Sequence, residues 1–155
     1  MKIAFISSQG GFSSIIRWIT KSKWSHVLII LDDELEGDAL TFEASALRGV
    51  RLNLWSESSY HPHEVYEVLQ PTSPKPLYKY FGSNYGYLQI LGFGVAKVLK
   101  LKHNPFTKDY VCSELALRFL LDNNVQGLES LEPNLATPED LYENLVKNPN
   151  FKKTT

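Results

Sequence analysis

Cysteine is nearly absent from this 155-residue sequence, in which Cys112 is the only one. A single cysteine cannot form a disulfide within the chain, so the fold does not depend on an oxidising compartment. The thiol of Cys112 therefore stays free. Whether it is a nucleophile or only a small buried apolar group is the main question that the sequence raises.

Strong net charge and long apolar runs are also absent. Lys and Arg total 16 against 17 Asp and Glu, which gives no electrostatic footprint for nucleic acid, and we expect no nucleic-acid partner. The longest apolar stretch, residues 88–99, is shorter than the roughly 20 residues that cross a bilayer. The apolar segment Ile3 to Ile6 is too short for the core of a signal peptide. We therefore expect no integral membrane segment and a cytoplasmic location where the chain is made.

The composition is that of a globular protein. Hydrophobic residues make up 43% of the chain and charged residues 21%, and the length suits one domain with its own core. No repeat, linker or low-complexity tract divides the sequence. We predict a single domain over residues 1–155.

Apolar alternation and β-branched runs predict a sheet in the first half of the chain. An amphipathic helix is predicted from Phe12 to Lys21, and an acidic turn from Asp32 to Asp38. Short turns between neighbouring strands favour an antiparallel meander. The five predicted strands are Lys2 to Ser7, Ser25 to Leu31, Leu40 to Ala44, Val50 to Leu54 and Glu64 to Leu69.

The periodicity changes to that of helices in the second half. A helical turn or two is predicted at residues 77–81, a glycine-containing helix at 88–99, a polar loop at 100–109, and a helix that ends near Asp122. A last helix is predicted to start with Thr137 as N-cap, Pro138 at the first position and Asp140 completing a capping box, and to end at Lys147. The whole pattern predicts an α+β domain, with an antiparallel sheet packed against helices.

Cys112 lies where the third of these helices begins. With Asp109 as the expected N-cap, the cysteine falls in the first turn. The unpaired N–H groups and the dipole of a helix N-terminus favour an anion there, and a thiolate is an anion.

A cysteine nucleophile needs a base, and histidine is the side chain whose pKa suits that task. His61, His63 and His103 lie in predicted loops, where histidines are most often exposed bystanders. His26 differs because it begins a strand of apolar residues. It is either a satisfied core residue or a base that the sheet holds rigidly towards Cys112.

A third group is needed to orient the imidazole and stabilise its charged form. Glu43 is the one charge in a strand-like segment, and the strand that follows the His26 strand carries it. Adjacent antiparallel strands bring side chains within about 5 Å. The alternative is a solvated glutamate on the outer face of the sheet. Glu114 points away from Cys112 round its helix, and we expect it to satisfy backbone donors near the helix start.

Five segments of the chain, taken in order, resemble the circularly permuted branch of the NlpC/P60 superfamily of papain-like cysteine hydrolases, which includes YiiX-type proteins. The segments are Ile19 to Val27, Phe42-Glu43-Ala44 with Gly49-Val50, Tyr85-Gly86-Tyr87, Val111 to Leu115, and Thr137 to Leu141. In that family the histidine precedes the cysteine, as His26 precedes Cys112. One departure is Gly86, which stands where the family commonly has aspartate after the tyrosine.

The resemblance implies a permuted papain-like fold, with an antiparallel sheet or barrel against helices. It implies that Cys112 is the nucleophile, His26 the base and Glu43 the residue that orients it, without metal or cofactor. We expect the Cys112 N–H to bind the oxyanion, with Tyr110, Gln9 and Tyr85 as candidates for the further substrate or oxyanion contacts. The implied reaction is cleavage of an amide bond in a bacterial cell-wall peptide or related isopeptide, by a phage-type, delivered or cytosolic enzyme.

Three alternatives stay open at this point. The chain could be a thioester-forming acyltransferase or lipase of the same fold that acts on a lipid-linked substrate. It could be a binding or structural module with an inert cysteine. A zinc site built from His61, His63 and Cys112 is the weakest, because no second paired ligand motif is present.

Overall fold

The computed structural model describes residues 1–32, 38–99, 101, 103–104 and 108–154, except for the side chains at positions 12, 94, 97 and 98. The predicted acidic turn at 32–38 and the predicted loop at 100–109 lie largely outside these residues.

Six strands and four α-helices form the regular structure of the described residues, which confirms the α+β prediction. The strands are β1 (Lys2–Ile6), β2 (His26–Ile30), β3 (Leu40–Ser45), β4 (Gly49–Leu54), β5 (His63–Val68) and β6 (Phe151–Lys153). The helices are α1 (Gly11–Thr20), α2 (Tyr87–Leu99), α3 (Cys112–Asp122) and α4 (Pro138–Lys147). Short 3₁₀ helices cover Trp55–Glu57 and Lys75–Lys79. The sequence did not predict β6 or the first 3₁₀ helix.

The sheet is antiparallel throughout, in the order β4-β3-β2-β1-β5-β6. The predicted meander is right for β2, β3 and β4, but β5 pairs with β1 on the far side rather than continuing from β4. The chain leaves β4 through Trp55, which is buried on one face of the sheet with Ile6 and Val65, and so reaches β1. Among the described residues the two edge strands do not pair with each other, so the sheet is open and the barrel alternative is wrong.

Helix α3 covers the opposite face of the sheet, over β2 and β3. Its apolar side chains, among them Leu115 and Phe119, share one core with Val27 and Ile29 of β2 and with Phe42 of β3. The apolar helix face predicted after Cys112 is therefore confirmed. Its packing fixes the start of α3 against the sheet.

The two helix starts predicted from the sequence have different outcomes. At α4 the capping box is present, with Thr137 Oγ1 accepting from the Asp140 N–H and Asp140 accepting from the Thr137 N–H. At α3 the N-cap is Val111, without a side-chain cap, so the prediction of Asp109 is wrong. The chain before Cys112 is extended because Tyr110 forms a β-bridge with Tyr85, and the helix starts only after that bridge.

Candidate active site

His26 and Glu43 lie on the same face of the sheet. Leu28 pairs directly with Glu43, and paired residues of an antiparallel ladder point to the same side. His26 is two residues before Leu28, so its ring is diagonal to the Glu43 carboxylate. His26 Nε2 lies 2.8 Å from Glu43 Oε2, within hydrogen-bond distance.

Glu43 is buried, with 4% of its surface exposed, so the alternative of a solvated glutamate is wrong. Two side chains of β4 hold its other oxygen. Arg51 Nη2 lies 2.9 Å from Oε1, and Asn53 Nδ2 donates to the same atom over 3.2 Å. Sequence reasoning missed both residues. The signal was the turn at Arg48-Gly49, which sets the register of β3 and β4 and places Arg51 opposite Glu43.

Cys112 is the first residue of α3 and is buried. Its thiol group hydrogen-bonds with His26. Because Nε2 of His26 faces Glu43, Nδ1 is the ring nitrogen left for the thiol. The three residues thus form a line of contacts from the start of α3 to the second and third strands.

The surroundings of His26 and Glu43 favour the charged form of each. Burial lowers the pKa of His26, but hydrogen bonds with Cys112 and Glu43 outweigh it and raise the pKa to about 10. Burial raises the pKa of Glu43, but the hydrogen bond and charge of His26, with the charge of Arg51, bring it below its ordinary value. The ring is therefore an imidazolium at neutral pH, bonded to a carboxylate.

We expect the His26–Glu43 pair to stabilise the fold most between pH 4.5 and 6.5. The raised pKa of His26 gives stability that is complete below its unfolded value of 6.5 and is lost as the pH rises through about 10. The lowered pKa of Glu43 gives stability that is complete above its unfolded value of 4.5 and is lost as the pH falls through the folded value. In urea unfolding, Glu43→Gln should cost about 1–3 kcal/mol at pH 5.5 and clearly less at pH 10.

Glu143→Gln is the matched control, because this carboxylate on α4 is exposed and its nearest cation is 3.8 Å away. It should change the free energy of unfolding by less than about 0.5 kcal/mol at both pH values. A loss for Glu43→Gln that does not vary with pH would contradict the assigned ion pair.

Tyr85 lies beside Cys112 because its backbone is tied to the residue two before the cysteine. Residues 85 and 110 form a parallel bridge, and the Gly86 N–H donates to the Tyr110 carbonyl over 2.9 Å. Burial raises the pKa of Tyr85 well above its ordinary value, and the charge of Cys112 adds to the rise. Tyr85 therefore stays a neutral phenol next to the thiol.

Gly86 occupies the position where the resembled family commonly has aspartate, and its surroundings are tight. A Cβ there would lie 2.9 Å from Gln89 Oε1 and 3.3 Å from the carbonyl oxygen of Asp109. A side chain at this position would displace Gln89, so the departure from the family pattern has a local packing reason.

Glu114 is bound by side chains rather than by the backbone donors that the sequence interpretation assigned to it. Gln89 Nε2 lies 2.5 Å from Oε2 and Arg118 Nε lies 2.7 Å from Oε1. Burial raises the pKa of Glu114, with these two hydrogen bonds acting against the rise. The contacts join α2 to α3 close to the start of both helices.

The two other candidate contact residues lie away from the thiol. The Tyr110 ring packs edge-on against Tyr80, 5.1 Å between centroids, and Arg118 lies over it. Gln9 is exposed in the segment that precedes α1. Neither residue lines the cavity beside His26.

The remaining histidines form no metal site. His63 Nδ1 donates to the His61 carbonyl over 2.7 Å, and its ring packs edge-on against Trp55. Within the described ranges no three His, Cys, Asp or Glu residues are grouped as a metal ion would require. The zinc alternative built from His61, His63 and Cys112 has no geometric support.

A cavity of about 240 Å³ opens beside His26 and Glu43. Cys112 does not line it, but its thiol is adjacent to two residues that do, His26 and Tyr85. A larger cavity, about 620 Å³, lies next to α4 and contains none of the candidate residues. The lining of the smaller cavity is largely polar, with hydroxyl groups from Ser8, Ser13, Ser25, Ser45 and Ser58 beside Arg51, Asn53 and Glu57.

Comparisons with known proteins leave the family open. No family model and no curated protein matches the chain. Among solved structures, the metalloprotein YiiX of Escherichia coli O157:H7 matches with a TM-score of 0.49 and 16% identity, over 99% of this chain and 94% of that one. It is of the YiiX type that the sequence resembles. At this similarity neither its metal nor any activity carries over to this chain, and the permuted NlpC/P60 assignment stays a proposal.

None of the helices in the described part of the chain is long and apolar enough to cross a membrane.

Proposed function

We propose that this protein is a cysteine hydrolase that cleaves an amide bond, with Cys112 as nucleophile, His26 as general base and acid, and Glu43 as the residue that orients His26. The observation that carries the proposal is the line of contacts from a thiol at a helix N-terminus through a strand histidine to a buried carboxylate. Structural histidines rarely have a thiol on one side and an anchored carboxylate on the other. This arrangement is the one that thiol hydrolysis requires.

The reaction divides into two acyl transfers. The Cys112 sulfur, whose proton His26 holds, attacks the carbonyl carbon, and the tetrahedral intermediate collapses as His26 gives that proton to the leaving amine. A thioester on Cys112 remains. Water then gives a proton to His26 and attacks the thioester, which releases the acid and returns the sulfur and the proton to the starting state.

The oxyanion needs donors near the start of α3. The Cys112 N–H is one, because the first N–H groups of a helix have no acceptor within it. Tyr85 is the better placed of the proposed side-chain donors, since its neutral hydroxyl belongs to a buried residue beside the thiol. Tyr110 and Gln9 are less well placed.

The polar lining of the cavity favours a peptide-like substrate over a fatty acyl chain. Resemblance to the permuted NlpC/P60 enzymes supports a bacterial cell-wall peptide or isopeptide. Lipid acyl transfer is the alternative chemistry of the same site. A stable acyl adduct on Cys112 after incubation with a lipid ester, but not with cell-wall peptides, would favour it.

Alkylation kinetics test whether Cys112 is activated. Iodoacetamide modification followed by intact mass reports on this residue alone, because the chain has one cysteine. At pH 6 the native protein should react about ten times faster than His26→Ala, because the imidazolium stabilises the thiolate. The urea-unfolded protein gives the rate of a free thiol. A native rate that follows the free-thiol profile, or that His26→Ala leaves unchanged, would rule out the proposed catalytic pair.

A further inference from the structure

The near-zero net charge conceals a strong segregation of acidic residues. All 17 lie in residues 32–67 and 109–143, so every charged side chain in residues 1–31 and 68–108 is basic. Helix α1 belongs to the first of these stretches and α2 to the second. The two helices are thus free of acidic residues over their whole length and in their flanks.

Helix α2 is apolar on both sides. One side is buried in the core through Ile90, Phe93 and Ala96. The other side carries a stripe of four apolar residues at helical spacing that remains exposed: Leu88 at 61%, Leu91 at 55%, Val95 at 40% and Leu99 at 62%. A helix that is apolar all round is normally covered on every side, by protein or by lipid.

Helix α1 extends this stripe. The helices pack against each other and run in the same direction. Residues near the start of each, Ser13 and Tyr85, line the cavity beside His26, and residues near the end of each, Thr20 and Ala96, line a second cavity. The exposed apolar residues of α1 are Ile15 and Trp18, the latter 81% exposed. We call the six residues Ile15, Trp18, Leu88, Leu91, Val95 and Leu99 the α1/α2 face.

We propose that the α1/α2 face docks on an anionic lipid surface. An apolar stripe with a tryptophan, flanked only by basic residues, has the composition of helices that lie in the membrane interface. Exposed Lys21 directly follows α1, and the sequence adds Lys97, Lys100 and Lys102 around the end of α2. The 13 residues of α2 span only about 20 Å, so it lies along the surface rather than across it.

An apolar face can also be an interface with another protein, but the charges favour lipid. A typical protein partner presents both signs of charge around an apolar patch, and an acid-free surface offers it few complementary pairs. An anionic bilayer presents one sign over a continuous area, which suits a surface with only basic residues.

The docking does not depend on Cys112 chemistry. If the proposed function holds, however, the cavity beside His26 opens at the ends of α1 and α2 where they begin, next to the docked face. The site would then act on polar groups held near a membrane surface, such as the peptide of a lipid-linked precursor.

Tryptophan fluorescence with lipid vesicles tests the docking directly. Trp24 and Trp55 are buried at 4% exposure, so an emission shift reports on Trp18. Vesicles of phosphatidylcholine and phosphatidylglycerol at 3:1 should shift the emission to the blue and carry the protein down in sedimentation. Pure phosphatidylcholine vesicles, or 0.5 M salt, should weaken binding about tenfold. Trp18→Phe should keep the binding and lose the shift.

Leu88→Ser/Leu91→Ser should lower the partition coefficient at least tenfold without changing the melting temperature by more than a few degrees. Leu69→Ser is the matched control, since this leucine after β5 is 54% exposed and lies outside the face. No sedimentation with anionic vesicles, or equal sedimentation of the double variant, overturns the proposal. A dimer in analytical ultracentrifugation that Trp18→Ser dissociates would make the face a self-interface and overturn it too. Amide hydrolysis that persists in a protein that does not dock would leave the proposed function standing.

Discussion

Cys112→Ser is expected to lower kcat/KM for amide hydrolysis by roughly 10⁴-fold while leaving the fold intact. Serine fits the same buried position at the start of α3. Its hydroxyl is a far weaker nucleophile than a thiolate beside an imidazolium, so the loss falls on the chemical step rather than on substrate binding. Release of the amine from cell-wall peptide fragments, followed by chromatography, gives the rate.

Ser113→Ala is the control for disturbing the start of α3. The Ser113 hydroxyl donates to the Ala136 carbonyl over 2.8 Å, away from His26, so its loss should cost about 1 kcal/mol of stability and little activity. Equal rates for Cys112→Ser and the unaltered protein would remove the thiol from the mechanism. An equal loss in both variants would show that helix position, rather than the nucleophile, limits the reaction.

Phe5→Ala is expected to destabilise the protein by about 3–5 kcal/mol. Phe5 lies in a central strand with no exposed surface, and its ring meets those of Tyr142, Trp24 and Tyr66 at centroid distances of 5.3, 5.9 and 6.0 Å. Removal of the ring opens a cavity between the sheet and α4 that rigid aromatic neighbours cannot fill. Urea unfolding followed by far-UV circular dichroism measures the loss.

Phe81→Ala is the matched control, because this ring is 57% exposed and should cost less than about 1 kcal/mol. If Phe5→Ala does not fold, Phe5→Leu keeps the comparison possible with an expected loss of about 1–1.5 kcal/mol. Similar losses for Phe5→Ala and Phe81→Ala would contradict the position of Phe5 at the centre of the core.

The features that sequence alone predicted are those set by neighbours in the chain. The capping box of Thr137 and Asp140 needs only four residues, and the apolar face of α3 needs only its own periodicity. The approach of Glu43 to His26 could be predicted because β2 and β3 are consecutive strands. Arg51 could have been predicted in the same way, from the turn at Gly49.

Contacts between distant segments were not predictable. The pairing of β5 with β1 depends on how Trp55 packs after β4, and the missing cap at Asp109 depends on the bridge between Tyr85 and Tyr110. Periodicity carries no information on either. The exposed side of α2 was also hidden, because an apolar residue predicts burial and only the packed structure shows which ones stay uncovered.

The division of the site between sheet and helix has a consequence for how the protein is made. Strands β1 to β5 lie within residues 2–68 and carry His26, Glu43, Arg51 and Asn53, whereas Cys112 comes later, with α3. Because synthesis proceeds from the N-terminus, the base and its bound carboxylate emerge from the ribosome before the nucleophile does. The thiol therefore arrives after the groups that position and activate it.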